Sequence, residues 1–97
     1  MTAYLIANID VHDPETYAQY AQQAPAFIEK HGGRYLVRGG NARAVEGDWS
    51  PQRLIVIEFP SVEHATAFIE DPEYRAIAEI RWSSSTTNLT IAEGYSP

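Results

Sequence analysis

The chain contains no cysteine, so disulfides, thiolate metal sites and thiol nucleophiles are excluded together. Basic side chains are scarce: 7 Lys and Arg stand against 13 Asp and Glu, leaving a net charge of -6. A surface of that sign repels phosphate backbones and anionic lipid, and no run of Lys or Arg offsets it, so neither nucleic acid nor a membrane is an expected partner. No apolar run approaches the ~20 residues that a bilayer span requires. Residues 1–10 have no basic leader and meet Asn8 and Asp10 too early for a signal peptide, which makes a cytoplasmic location the expectation. The three histidines, His12, His31 and His64, share no metal-ligand spacing. No metal and no cofactor is expected.

What is present fits one small domain spanning residues 1–97. A chain of 97 residues has a thin core, and without disulfides self-association is the expected supplement. Residues 3–11 are rich in β-formers and apolar on both alternating sets, the pattern of a strand covered on two faces. Asp13-Pro14 opens a helix: the carboxylate accepts from first-turn N–H groups, and proline suits the first position, where no donor is needed. Tyr17, Tyr20, Ala21, Ala24, Phe27, Ile28 and His31 then form one face, with a bend or break expected near Pro25. Gly32-Gly33 ends the helix. Residues 34–38 read as a second strand interrupted by Gly39-Gly40, either as a bulge or as a tight turn, with residues 41–46 continuing the ribbon. Residues 53–59 form the clearest strand. Ser61 and Asp71-Pro72 start two further helices, residues 83–87 read as a polar loop, and residues 88–93 make a fourth strand.

This order, strand, helix, strand, strand, helix pair, strand, is the α+β ferredoxin-like βαββαβ layout: a four-stranded antiparallel sheet with helices on one face. Helices cover one face only, yet Ile55, Ile57 and Phe59 alternate with Leu54 and Val56, so both faces are apolar. The face left bare calls for a second copy, and a homodimer through the open sheet face is expected.

Asp13-Pro14-Glu15, Tyr17, Tyr20, the segment Gly32-Gly33-Arg34-Tyr35-Leu36-Val37-Arg38-Gly39-Gly40, Glu46-Gly47-Asp48-Trp49, Glu58-Phe59-Pro60, Pro72-Glu73-Tyr74 and Arg81 together resemble the bacterial family known as domain of unknown function 1330. The resemblance covers essentially the whole chain. It implies a dimeric α/β barrel, an arrangement shared with small monooxygenases and muconolactone isomerases, and it implies no particular reaction.

Six kinds of residue are candidates for chemistry. Arg81 shares a helical face with Tyr74, Ile77 and Ala78; it is either a snorkelling or ion-paired arginine, with Glu58 or Glu93 as partner, or an anchor for a carboxylate or enolate. Glu58, in an apolar strand, is either paired with Arg38, Arg53 or Arg81 or a general base of raised pKa. Arg38 beside Gly39 and Gly40 combines a charge with backbone that a ligand can approach, although glycine there equally permits a bulge. The pattern is not that of a dinucleotide site. Tyr17, Tyr20 and Tyr74 are core residues or hydroxyl donors converging on Arg81. Asn8 orients a substrate or bonds to a neighbour. Trp49 caps a pocket or packs on a partner subunit.

The expected catalytic set is therefore Glu58, Arg81 and Tyr74, with Arg38, Gly39, Gly40, Tyr20 and Asn8 binding substrate. The function expected is a cofactor-independent enzyme acting on a small organic acid or enolisable carbonyl compound in a cleft between helices and sheet. The alternative is a non-catalytic, small-ligand-binding or stress-related dimeric module. A small anionic ligand is expected in either case.

Overall fold

The computed structural model describes all residues, Met1–Pro97. Its elements run β1 (Ala3–Val11), α1 (Pro14–Lys30), β2 (Arg34–Arg38), β3 (Leu54–Phe59), α2 (Val62–Glu70), α3 (Pro72–Ser84) and β4 (Ser85–Glu93). The strands form one antiparallel sheet in the order β2-β3-β1-β4, the ferredoxin-like topology, with all three helices on one face. No helix is long and apolar enough to cross a membrane.

Capping follows the sequence. Asp13 accepts from the Thr16 N–H, Ser61 from the His64 N–H, and Asp71 from the Glu73 and Tyr74 N–H groups. Gly32, at φ 81°, turns the chain out of α1.

Alternation along the strands sorts the faces. Ala3, Leu5, Ala7 and Ile9 of β1 and Ile55, Ile57 and Phe59 of β3 are buried under the helices. Phe59 and Phe68 pack with ring centroids 5.5 Å apart, and Phe68 lies 4.1 Å from Tyr74. This aromatic stack ties β3, α2 and α3 together; deleting the Phe68 ring costs about 3–5 kcal/mol. The opposite face carries Tyr4, Ile6, Leu54, Val56 and Val37, with Ile6 and Val37 each more than a third exposed.

Four expectations are corrected. Helix α1 does not break at Pro25 but runs on to Lys30, and the carbonyl that proline leaves free finds another donor, described below. The ribbon stops at Arg38; residues 39–53 form no strand, and Val45 (84% exposed) and Trp49 (60%) lie on that loop. The bulge falls between Tyr35 and Val37 rather than at Gly39. Residues 83–87 are no loop: α3 runs to Ser84 and β4 starts at Ser85. There the Ser84 and Ser85 hydroxyls donate to the Ile80 and Arg81 carbonyls, so serine side chains finish the helix while the backbone already pairs with β1.

Candidate functional site

A cavity lies between the sheet and helices α1 and α3. Ala7 and Ile9 form its floor, and the small side chain of Ala7 leaves room at the centre. Tyr17, Tyr20, Tyr35 and Tyr74 supply aromatic walls, and Arg38, Arg53 and Arg81 bring three guanidinium groups to the same space. No Asp, Glu or His lines it. The centre of a water-sized sphere can range over about 30 Å³, room for a water or two.

Each arginine is placed by a different element. Arg38 ends β2 and pairs with Ile55, so the register turns it to the helix side. Its Nη2 donates to the carbonyl of Ala21 at 2.9 Å, and its guanidinium lies 4.8 Å from the Tyr35 ring centre. Residue 21 sits four positions before Pro25, which has no N–H to offer, so Arg38 supplies the missing donor. Arg53 immediately precedes β3, in phase with Ile55 and Ile57, and its guanidinium lies 5.7 Å from the Tyr17 ring centre. Its Nε is buried with no hydrogen-bond partner. Gly39, at φ 70°, lies against that side chain: a Cβ there would stand 2.7 Å from Arg53 Cζ. Arg81, on α3, is 6% exposed, and its guanidinium lies 5.7 Å from the Tyr20 ring centre. None of these three arginines belongs to an ion pair; the pairs in the chain are Lys30–Asp71, His31–Asp71 and Arg34–Glu58. Arg38 is exposed and Arg53 half-buried; for buried Arg81, cation–π contact offsets part of the cost of burying charge and leaves the rest uncompensated.

The Tyr20 and Tyr74 hydroxyls share a 2.7 Å hydrogen bond in the interior. Burial, reinforced by the neighbouring Tyr74, pushes the Tyr20 phenol far above the ordinary tyrosine range. Burial also raises Tyr35, against the opposing pull of Arg38. Tyr20 and Tyr35 therefore stay protonated at neutral pH.

The cavity brings together Arg38, Tyr20, Tyr74 and Arg81 of the residues expected at a site. Glu58 does not join them. It lies on the opposite face of the sheet, where Arg34 Nε donates to its carboxylate at 2.9 Å, so its partner is none of Arg38, Arg53, Arg81. Strand alternation is the physical reason: Glu58 is out of phase with Ile57 and Phe59. Asn8, also out of phase, accepts from the Gln52 N–H at 2.9 Å. Gly39 carries the Arg53 side chain and Gly40 faces open space, and neither lines the cavity. Of the polar side chains in the lining, Tyr17, Tyr35, Arg53 and Thr87 are absent from the expected set. For Arg53, strand phase was the available signal, since it continues the series Ile55, Ile57, Phe59.

These features define a ferredoxin-like α+β domain with an arginine-rich cavity beneath its helices. The chain belongs to the family described as Domain of unknown function (DUF1330), whose model matches residues 2–95. Among solved structures it is similar to RPA0582 from Rhodopseudomonas palustris, a protein of unknown function, at 20% identity and a TM-score of 0.80, over 99% of this chain and 84% of that one. It is similar to SnoaB from Streptomyces nogalater, a cofactor-independent oxygenase, at 11% identity and a TM-score of 0.66, over 99% and 95% of the two chains. A dimeric ferredoxin-like protein of unknown function from Jannaschia sp. CCS1 aligns at 11% identity and a TM-score of 0.65, over 97% and 100%. At such identities the similarity establishes the fold. No curated protein matches the sequence.

Proposed function

We propose that the chain binds a small, largely apolar organic anion in this cavity and acts there as a cofactor-independent enzyme on an organic acid or enolisable carbonyl compound. The observation that carries this reading is the meeting of Arg38, Arg53 and Arg81 around one void whose lining holds no carboxylate. Arg81 is buried and Arg53 half-buried, with Arg38 at the exposed rim; a buried guanidinium without an acidic partner is a costly arrangement unless an anion completes it. A guanidinium beside a bound enol favours its ionised form. The proton leaves to solvent, the electron pair shifts onto the carbonyl oxygen, and that oxygen accepts N–H bonds from arginine and an O–H bond from the tyrosine pair. Glu58, on the far face, has no part in this. With no general base in the lining, the substrates favoured are those already acidic, such as 1,3-dicarbonyl compounds. The cofactor-independent oxygenase SnoaB shares the fold, and an anion-stabilising cavity suits chemistry of that kind.

The test is spectroscopic. Adding the protein to 1,3-cyclohexanedione near its pKa should strengthen the enolate absorption, as a drop of about one pKa unit or more on binding requires. An unchanged spectrum would remove the reading. The absence of a base from the lining also favours a second reading, a non-catalytic small-ligand module; ligand-induced stabilisation without any product would select it.

The proposal includes a homodimer. Tyr4, Ile6, Leu54, Val56 and Val37 form an apolar strip on the uncovered sheet face, beside Asn8 and the Arg34–Glu58 pair, and the Jannaschia protein of the same fold is described as dimeric.

A further inference from the structure

Resting on that reading, we infer that the cavity recognises its ligand from two ends, and that the class it fits is a flat aromatic ring with acceptor oxygens on opposite sides, an aromatic dicarboxylate or hydroxycarboxylate. Sheet register separates the two ends. The Ile9 N–H donates to the Arg53 carbonyl at 2.9 Å, and Ile9 pairs with Thr87, so Arg53, Ile9 and Thr87 occupy one row across the sheet. Arg38, Ile55, Ala7 and Leu89 form the next row. Arg38 and Arg53 thus rise from the β2–β3 side. Arg81 enters from the β4 side, where the Ser85 hydroxyl at the head of β4 donates to its carbonyl. With β1 between them, β3 and β4 lie about 10 Å apart.

The cavity lining between the arginines is mostly apolar and aromatic. Arg53 sits against the Tyr17 ring and Arg81 against the Tyr20 ring, and those rings are themselves 5.6 Å apart and tilted by 43°, so the two guanidiniums rest on different rings of one aromatic pair. A monocarboxylate held by one end leaves the other guanidinium uncompensated. The buried, unpartnered Nε of Arg53 marks the end that a second acceptor would complete. The void in the free chain admits only water-sized guests, so the ring enters as lining side chains shift, with Arg38 exposed at the rim and Arg53 only half-buried.

Calorimetric titration of terephthalate, benzoate and benzamide into the wild type, Arg53→Gln and Arg53→Lys tests this. Wild type should bind terephthalate at least about tenfold more tightly than benzoate, the worth of one charge-assisted pair. Arg53→Gln should abolish that preference while benzoate affinity holds within about twofold, and Arg53→Lys should restore part of it. Circular dichroism confirms that both variants fold. Equal wild-type affinity for the two acids, or equal weakening of both by Arg53→Gln, would overturn the two-ended site and leave the anion site standing. Failure of the wild type to bind either acid would overturn the proposed function as well.

Discussion

Arg38 donates to the carbonyl oxygen of Ala21, the group that Pro25 leaves without its helical partner. Proline thereby does two things at once: it removes a backbone hydrogen bond from α1, and it creates an acceptor that pins a cationic side chain at the cavity edge. Replacing it separates the two. Pro25→Ala supplies an N–H that competes for the Ala21 carbonyl, so the helix should gain about 1–2 kcal/mol in urea denaturation, less than the cost of an interior proline because Arg38 already compensates it. Benzoate affinity should fall in the same variant as Arg38 loses its anchor. A loss of stability in Pro25→Ala would contradict this account of the unbroken helix.

The paired phenols of Tyr20 and Tyr74 make stability sensitive to alkali. Because the Tyr20 phenol is raised in the folded chain, the native state holds a proton that the unfolded state releases near pH 10. Its contribution is intact below about pH 10 and is lost as pH rises above that value, at up to about 1.4 kcal/mol per pH unit. Tyr35 acts in the same direction. Tyr20→Phe should flatten that slope while costing about 1–3 kcal/mol at neutral pH, because the Tyr74 hydroxyl loses its buried partner. Urea midpoints measured between neutrality and about pH 11 check both parts.

Asp71 caps α3, the helix that carries Tyr74 and Arg81, and fastens it to the end of α1. His31 Nε2 donates to its carboxylate at 2.8 Å and Lys30 Nζ at 2.9 Å. The bond from His31, then that from Lys30, holds the carboxyl well below the usual range despite the opposing effect of burial. A depressed carboxylate stabilises fully above its unfolded pKa near 4 and loses that contribution as pH falls further. Wild type should therefore exceed Asp71→Asn in stability at neutral pH, with the gap closing during acid titration followed by circular dichroism. A gap independent of pH would be inconsistent with the capped ion pair.

The open sheet face predicts its own response to charge. Ile6→Lys puts an ammonium amid Tyr4, Leu54 and Val56, where a facing copy would have to bury it. Sedimentation should change from dimer to monomer, with the helix-side core intact, since Ile6 points away from it. A wild type that sediments as a monomer would end the dimer proposal.

Much of the fold was legible because local signals agreed with one another. Asp13-Pro14 and Asp71-Pro72 each announce a helix through a side chain and a backbone constraint together, Ser61 through its side chain alone, and all three hold in the structure. Residues 83–87 misled because five hydroxyl side chains look like a loop, whereas Ser83, Ser84 and Ser85 bond backward to α3 and the backbone from Ser85 onward pairs with β1. The candidate site was half legible. Arg81, Tyr20 and Tyr74 followed from helical periodicity, while Glu58 and Arg53 demanded strict attention to strand phase. Glu58 looked unusual for its apolar strand, but its phase puts it on the far face with Arg34; Arg53 looked ordinary at a strand end, but its phase carries it into the cavity. The bond from Arg38 to Ala21 joins residues far apart in sequence and left no local mark.

Arg81 bears the account most directly, since it is buried without an acidic partner. Arg81→Met keeps the side chain's bulk and removes the charge. The variant should be as stable as wild type or more so, by about 0.5–2 kcal/mol, as is common where a residue is kept for function at the expense of stability. Titrated with benzoate in a calorimeter, wild type should bind it in clear preference to the neutral amide benzamide, and Arg81→Met should lose that preference. Benzoate binding equally to both proteins, or no better than benzamide to the wild type, would contradict an anion-binding cavity.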